Sequence, residues 1–218
     1  METTRTPLFA ILALLALTLS GVNAQEGNEK ARKYHGVLKK RPSPSYLFDH
    51  FYNTWLDTDT LAGLETFLAG EIEADATTGN RLLLAFFHTK QGDNVKALEQ
   101  FRKALEADPG NAETYFQKAV VEARTLDFQT ALTDLEKAKG AKPKEELERK
   151  ILQLEGKLQV RSGQTEKAMA AWKKLLEANP DDEELQEDLI ELQIAEGLYD
   201  EALKTADTLI GKTKDAYQ

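Results

Sequence analysis

The chain has 218 residues and no cysteine, which excludes disulfide bonds and thiol chemistry. Its three histidines do not have the spacing of metal ligands. A glycine-rich phosphate loop, a nucleophile elbow and the alternating carboxylates of a calcium loop are missing as well. The sequence therefore predicts no catalytic residue, no metal and no cofactor, so we do not expect an enzyme.

Basic residues are in deficit, with 28 Lys and Arg against 37 Asp and Glu and a net charge of -9. An acidic chain repels phosphate backbones, so we expect no nucleic-acid partner. Basic residues cluster only between Lys30 and Arg41. Clustered positive charges are attracted to anionic lipid, and this segment is the single place where we predict membrane contact. The other interpretation is a solvated linker.

Hydrophobic runs are short, apart from residues 8–19 near the N-terminus. This run is too short to span a bilayer comfortably, and it is followed by small residues that end at Ala24. That layout is typical of a secretory signal cleaved after Ala24. We expect residues 1–24 to be a signal peptide and the protein to be exported to the periplasm or the cell surface. Retention of the segment as an anchor is the alternative, and the missing cysteine excludes a lipoprotein.

Two further segments precede the regular part of the chain. Residues 25–45 are polar and basic and contain Pro42 and Pro44, which disfavour helix, so we expect a basic linker. Residues 46–75 place aromatic and aliphatic residues at helical intervals and predict an irregular capping helix hairpin. Core packing is the main interpretation of these aromatics, and a pocket for sugar or peptide is the alternative.

A recurrence with a period of about 34 residues occupies the rest of the chain. In each copy a small residue is followed four places later by a bulky one and then by a proline, although the fourth copy lacks the proline. The residues are Ala97, Phe101 and Pro109; Ala131, Leu135 and Pro143; Ala168, Trp172 and Pro180; and Ala202. This predicts four helix-pair units, at 78–111, 112–145, 149–182 and 183–216, which bury their apolar faces against one another.

The pattern resembles the tetratricopeptide repeat (TPR) family over residues 78–216. The resemblance implies an all-helical, right-handed superhelical array of antiparallel helix hairpins. In this family the first helix of each pair lines a concave surface where an extended peptide or a partner helix can lie. Lys118 and Glu155 stand where the family usually buries leucine. Either those helices rotate, or the long side chains extend to the surface.

Positions that face outward on the first helices are the candidate partner-binding residues. They are Leu82, Phe86, Phe116, Val120, Lys150, Lys157, Arg161, Glu187 and Glu191. The function expected is a protein–protein interaction scaffold of the bacterial cell envelope, with a protein or peptide as partner. The alternative is the N-terminal interaction region of a longer exported polypeptide, with or without a catalytic part. The apolar face of the last helix also predicts self-association through the C-terminal end.

Overall fold

A computed structural model describes residues 29–216, and this part of the chain contains helices and no strand. The predicted signal peptide, residues 1–24, lies outside the described residues. The chain divides after Pro109 into an N-terminal unit and a C-terminal unit. The N-terminal unit contains α1 (29–38), α2 (Tyr46–Leu56), α3 (Leu61–Ala74), α4 (Thr78–Gln91) and α5 (Asn94–Ala107). The C-terminal unit contains α6 (Ala112–Arg124), α7 (Phe128–Gly140), α8 (Glu145–Arg161), α9 (Thr165–Ala178), α10 (Glu183–Ala195) and α11 (Tyr199–Ala216).

Consecutive helices pair into hairpins, α4 with α5, α6 with α7, α8 with α9 and α10 with α11. The predicted fold class, an all-helical series of antiparallel helix hairpins, is confirmed. Three of these pairs lie within predicted repeat units, and the exception is the third, because α8 begins at Glu145, four residues before the predicted unit 149–182. The hairpin predicted at 46–75 corresponds to α2 and α3.

The turn inside each repeat needs one residue in the left-handed backbone region. Gly163 takes this conformation at φ 77°, and Leu126 takes it in the second repeat at φ 65°. A side chain makes that conformation costly, so the second repeat turns with some backbone strain. Asp127 follows, and its carboxylate accepts a hydrogen bond from the backbone N–H of Thr130 at 3.2 Å, which begins α7.

The small and bulky residues of the repeat signature form the cores of the hairpins. Fully buried members are Ala97, Phe101, Ala131, Leu135, Ala168 and Trp172, and Ala202 is also buried. The prolines Pro109, Pro143 and Pro180 lie outside the helices.

A glycine on α8 makes room for the largest of these side chains. A Cβ atom on Gly156 would lie 1.6 Å from Nε1 of Trp172, well inside van der Waals contact. The indole of α9 therefore packs directly on the backbone of α8, and any side chain at this position would displace it.

Aromatic rings dominate the core of the N-terminal unit. Trp55 of α2 stacks on Phe67 of α3 with ring centroids 4.6 Å apart. Phe86 of α4 contacts Phe48 of α2 at 5.8 Å and Phe101 of α5 at 6.0 Å. These rings link four helices in one packed network.

The predicted linker at 25–45 is wrong over 29–38, where the structure has the helix α1. Ala31, His35 and Leu38 lie on one face of α1 and are buried. The carbonyl oxygen of Lys39 lies 2.0 Å from where a Cβ atom on Gly79 would stand, so the chain after α1 packs on the backbone of α4. Because the basic side chains Lys33, Lys40 and Arg41 point to solvent, the segment looks polar in sequence although it folds.

The buried histidine of α1 is surrounded by the aromatic core. His35 contacts Phe67 edge-on, with ring centroids 5.0 Å apart, and its Nδ1 lies 3.7 Å from Oε2 of Glu71. Burial lowers the pKa of His35, although the carboxylate of Glu71 opposes this shift. The neutral imidazole is therefore the form that suits this site.

None of the helices within residues 29–216 has the length and apolar character needed to cross a bilayer. Contact between the Lys30–Arg41 segment and anionic lipid stays a prediction. On the last helix, Tyr199 and Leu203 are each 64% exposed and Ile210 is 52% exposed. Self-association through this face also stays a prediction.

Candidate partner-binding groove

A groove crosses the first helices of the second, third and fourth repeats, all within the C-terminal unit. Its volume is about 490 Å³. The lining comes from α6 (Val120, Ala123, Arg124), α8 (Leu154, Lys157, Leu158, Val160, Arg161) and α10 (Asp188, Glu191, Leu192, Ala195), with Glu196 after α10. Apart from Val160, spacings of three, four and seven residues place the members of each set on one face of its helix.

The floor of the groove is apolar, and its rim is charged. Leu158 and Leu192 are buried and belong to the cores of the repeats, so the floor is continuous with packed interior. Val120 and Leu154 are half-buried, and Ala195 is exposed. An apolar floor with charged edges suits an amphipathic segment of another chain.

One ion pair ties α8 to α10 across the groove. Nζ of Lys157 lies 3.2 Å from Oδ1 of Asp188, and Nε2 of Gln153 donates a hydrogen bond to Oδ2 of the same carboxylate at 3.1 Å. Because both carboxylate oxygens are engaged, Asp188 is held in place beside Lys157.

The second basic residue of α8 in the groove, Arg161, contacts an aromatic ring and not a carboxylate. The guanidinium of Arg161 lies over the ring of Phe128, with Cζ 4.8 Å from the ring centroid. This stacking fixes the plane of the guanidinium while its N–H edges remain available to another group.

Buried ion pairs hold the groove-forming helices on their partners. Nζ of Lys118 on α6 contacts carboxylate oxygens of both Glu122 and Asp134, and Lys137 contacts Asp134 at 2.9 Å. Burial raises the pKa of Glu122, although Lys118 opposes the shift. Burial also raises the pKa of Asp134, but the hydrogen bonds from Lys118 and Lys137 outweigh it and leave that pKa lowered.

The equivalent position on α8 carries the opposite charge. Glu155 is buried, and both of its carboxylate oxygens accept hydrogen bonds from Nζ of Lys139 on α7, at 2.8 and 2.7 Å. Lys118 and Glu155 are buried, so the interpretation that their side chains extend to the surface is wrong. Each remains inside because an opposite charge from a neighbouring helix neutralises it.

Comparison with known proteins identifies the repeats. Two tetratricopeptide repeat family models match the chain, one over residues 88–146 and the other over residues 159–218, and together they cover more than half of it. This chain is a TPR protein.

One curated protein and several solved structures are similar to this chain. The mouse (Mus musculus) protein DnaJ homolog subfamily C member 3 is 30% identical over 126 residues, which are 57% of this chain. The chain spans only 23% of the length of that relative. The crystal structure of MamA is 20% identical, with a TM-score of 0.59 and coverage of 72% of this chain and 91% of MamA. The structure of YrrB, a TPR protein with an unusual peptide-binding site, is 22% identical, with a TM-score of 0.53 and coverage of 65% and 72%.

Four of the residues that the sequence predicted for partner binding meet in the groove of this TPR protein. They are Val120, Lys157, Arg161 and Glu191. The others lie elsewhere. Phe116 is half-buried against the core of the second repeat, Lys150 is exposed and pairs with Glu146 at 2.7 Å, and Glu187 is exposed outside the groove lining.

The candidates Leu82 and Phe86 in the first TPR unit are buried in the core of the N-terminal unit and are not available to a partner. Their helix, α4, is covered by the aromatic hairpin α2–α3, which takes the apolar face that the sequence left open. The rings of that hairpin pack on one another as core.

Sequence reasoning missed two rim residues, Arg124 and Glu196. Arg124 is the last residue of α6, and Arg161 is the last residue of α8. Because Arg161 was a predicted site residue, the arginine at the same place in the preceding repeat was the signal that could have identified Arg124. Glu196 follows the last residue of α10 and accepts a hydrogen bond from the hydroxyl of Thr165 at 3.3 Å. Over residues 29–216, no three histidine, cysteine or carboxylate side chains are grouped so that they could hold a metal ion.

Proposed function

We propose that this TPR protein is a non-enzymatic interaction scaffold that binds a peptide or a partner helix in the groove formed by α6, α8 and α10. The groove itself is the observation that carries the proposal, because it combines a continuous apolar floor with a charged rim. The described peptide-binding site of the TPR protein YrrB supports the same kind of ligand.

Filling the groove tests this proposal. Ala195 is exposed and lines the groove, so Ala195→Trp places an indole over the floor without disturbing the core. Ala170 on α9 is also exposed but does not line the groove, and Ala170→Trp is the matched control. We expect peptides selected from a display library on the full-length chain to bind the control normally and to bind Ala195→Trp at least roughly tenfold more weakly.

Two outcomes would overturn the proposal. A library that yields no binding peptide would remove the groove as a binding site. Peptides that bind Ala195→Trp as tightly as the wild type would place binding elsewhere on the surface. Circular dichroism of both variants checks that neither change has unfolded the repeats.

We also propose that the chain is exported and acts in the cell envelope of a bacterium. The apolar run at 8–19 and the small residues before Gln25 support this proposal. Mass spectrometry of the protein from fractionated cells should find an N-terminus at Gln25 in the periplasmic or surface fraction. An intact Met1 in the cytoplasmic fraction would contradict it.

A second candidate is an interaction region that works within a longer polypeptide. The observation that favours it is that the chain matches only 23% of the length of the mouse relative. An antibody raised against the groove helices would detect a band well above 24.4 kDa in the source cells if this candidate holds. A band at the size of this chain would contradict it.

A further inference from the structure

The charges on the rim of the groove are separated by sign. Arg124 and Arg161 lie at the ends of α6 and α8, whereas Glu191 and Glu196 come from α10 and the residue after it. All four side chains are exposed. The groove therefore has a basic side and an acidic side with an apolar floor between them.

Only the central charges of the groove form an ion pair with each other, so the charges nearer its edges can pair with a ligand. Lys157 and Asp188 neutralise each other at 3.2 Å in the middle of the groove. Arg161 is stacked on Phe128, and among the side chains described in residues 29–211 no ion pair engages Arg161, Arg124 or Glu191. A charge that has no partner in the free protein gains the most when a ligand supplies one.

The width of the groove limits how far apart the ligand charges must be. Neighbouring helices pack 8–10 Å apart, so α6 and α10, two helices apart, are separated by roughly 16–20 Å. An extended segment covers that distance in roughly five or six residues at 3.3 Å each. A helical segment needs roughly 11–13 residues at 1.5 Å each.

We propose that the ligand of this groove is a bipolar segment: an apolar centre with an acidic end against Arg124 and Arg161 and a basic end against Glu191 and Glu196. This inference rests on the proposed function of the groove. Because a ligand that reverses its ends would bring like charges together, the segment binds in one orientation. The ligand class is thus an amphipathic protein segment whose two ends carry opposite charge, and uniformly acidic or basic segments are discriminated against.

Charge-reversal variants test the inference with a library of randomised peptides long enough to span the groove. The wild type should enrich apolar peptides with one acidic and one basic end. The double variant Glu191→Lys, Glu196→Lys should enrich peptides that are acidic at both ends, and Arg124→Glu, Arg161→Glu should enrich peptides that are basic at both ends. The wild-type peptides should bind each double variant at least roughly tenfold more weakly, and the loss should shrink at high salt.

The control reverses exposed charges on α9 outside the groove lining, with Glu166→Lys and Lys174→Glu, and should leave the selected peptides unchanged. If peptides are enriched, are blocked by Ala195→Trp and show no charge pattern, the bipolar ligand is wrong while the proposed function stands. If no peptide is enriched by the wild type or by any variant, the proposed function fails as well.

Discussion

In the N-terminal unit aromatic rings pack on one another across α1 to α5. In the C-terminal unit the cores are mainly aliphatic, with Trp172 as the one fully buried ring among the described residues, and buried ion pairs border them. Phe51, Trp55 and Phe67 contact each other, and Phe51 and Phe67 also contact the imidazole of His35. The C-terminal counterpart of this network is the set of charges centred on Lys118 and on Glu155.

The difference shows that the N-terminal unit buries the apolar face of its first repeat helix, whereas the C-terminal unit leaves a surface open to a partner. Rings fill volume without requiring charged partners, and α2–α3 covers the apolar face of α4. Buried ion pairs leave the first helices α6 and α8 fixed on α7 while their other faces line the groove. We infer that the C-terminal unit relies on electrostatic positioning where the N-terminal unit relies on packing.

Removing the charge of Lys118 should produce the largest difference in stability between the two units. Lys118→Met leaves the carboxylates of Glu122 and Asp134 buried with one cation fewer, which should lower the free energy of unfolding of the C-terminal unit by about 3–5 kcal/mol. Urea denaturation followed by circular dichroism measures this loss. The matched change Lys96→Met in the N-terminal unit breaks an exposed pair with Glu65 and should have little effect, because water already solvates it. Equal losses in the two variants would contradict the electrostatic role.

A single methyl group should break the packing of the third repeat. Gly156→Ala places a Cβ atom against the indole of Trp172, and the displaced ring should cost about 1–3 kcal/mol of stability. Gly140→Ala on α7 is the control, because a Cβ atom there meets nothing within 4 Å. Thermal unfolding of the two variants compares them, and an unchanged midpoint for Gly156→Ala would show that α9 shifts without loss of packing.

Lowering the pH should produce a smaller difference in stability, because it should destabilise the N-terminal unit through its buried histidines. Burial lowers the pKa values of His35 and of His88, and both lie in the N-terminal unit. The folded state then favours the neutral imidazoles, so this stability is fully present above the ordinary pKa of about 6.5 and is lost as the pH falls below it towards the lowered value. Each unit of difference in pKa between the folded and unfolded states corresponds to about 1.4 kcal/mol.

Tryptophan fluorescence can follow this loss in one unit alone. The chain has two tryptophans, Trp55 in the N-terminal unit and Trp172 in the C-terminal unit, so Trp172→Phe leaves a reporter of the N-terminal unit. The urea concentration at the midpoint of its unfolding should decrease as the pH is lowered from 7 to 5.5. The double variant His35→Asn, His88→Asn should make this decrease with pH smaller. A midpoint that stayed constant over that range would contradict the assigned shifts.

The repeat pairs were predictable because their signal is local. The alanine and the bulky residue four places later, as in Ala168 and Trp172, mark one helix face, and that face becomes the core. The buried charges were harder to predict. Lys118 meets Asp134, and Glu155 meets Lys139, in each case 16 residues away on a neighbouring helix. In the sequence, a charged residue at a core position with an opposite charge 16 residues away could have predicted each buried ion pair.

The helix α1 was missed because its composition is that of a linker. The basic residues and the prolines at 42 and 44 outweighed the interval from Ala31 to His35 to Leu38, which is the helical spacing of a buried face. The groove was found only in part, since side chains on three helices belong to one surface only after the helices are packed.

The close approach of Lys39 to Gly79 has a consequence for the order in which the N-terminal unit assembles. The surface that receives α1 is contributed by Phe51 of α2, Phe67 of α3 and Gly79 of α4, and it does not exist until those three helices are together. Because this surface must form before α1 can dock on it, we expect α1 to be among the last parts of the unit to fold. By the same reasoning we expect α1 to open before the hairpins beneath it unfold, which would expose the ring network.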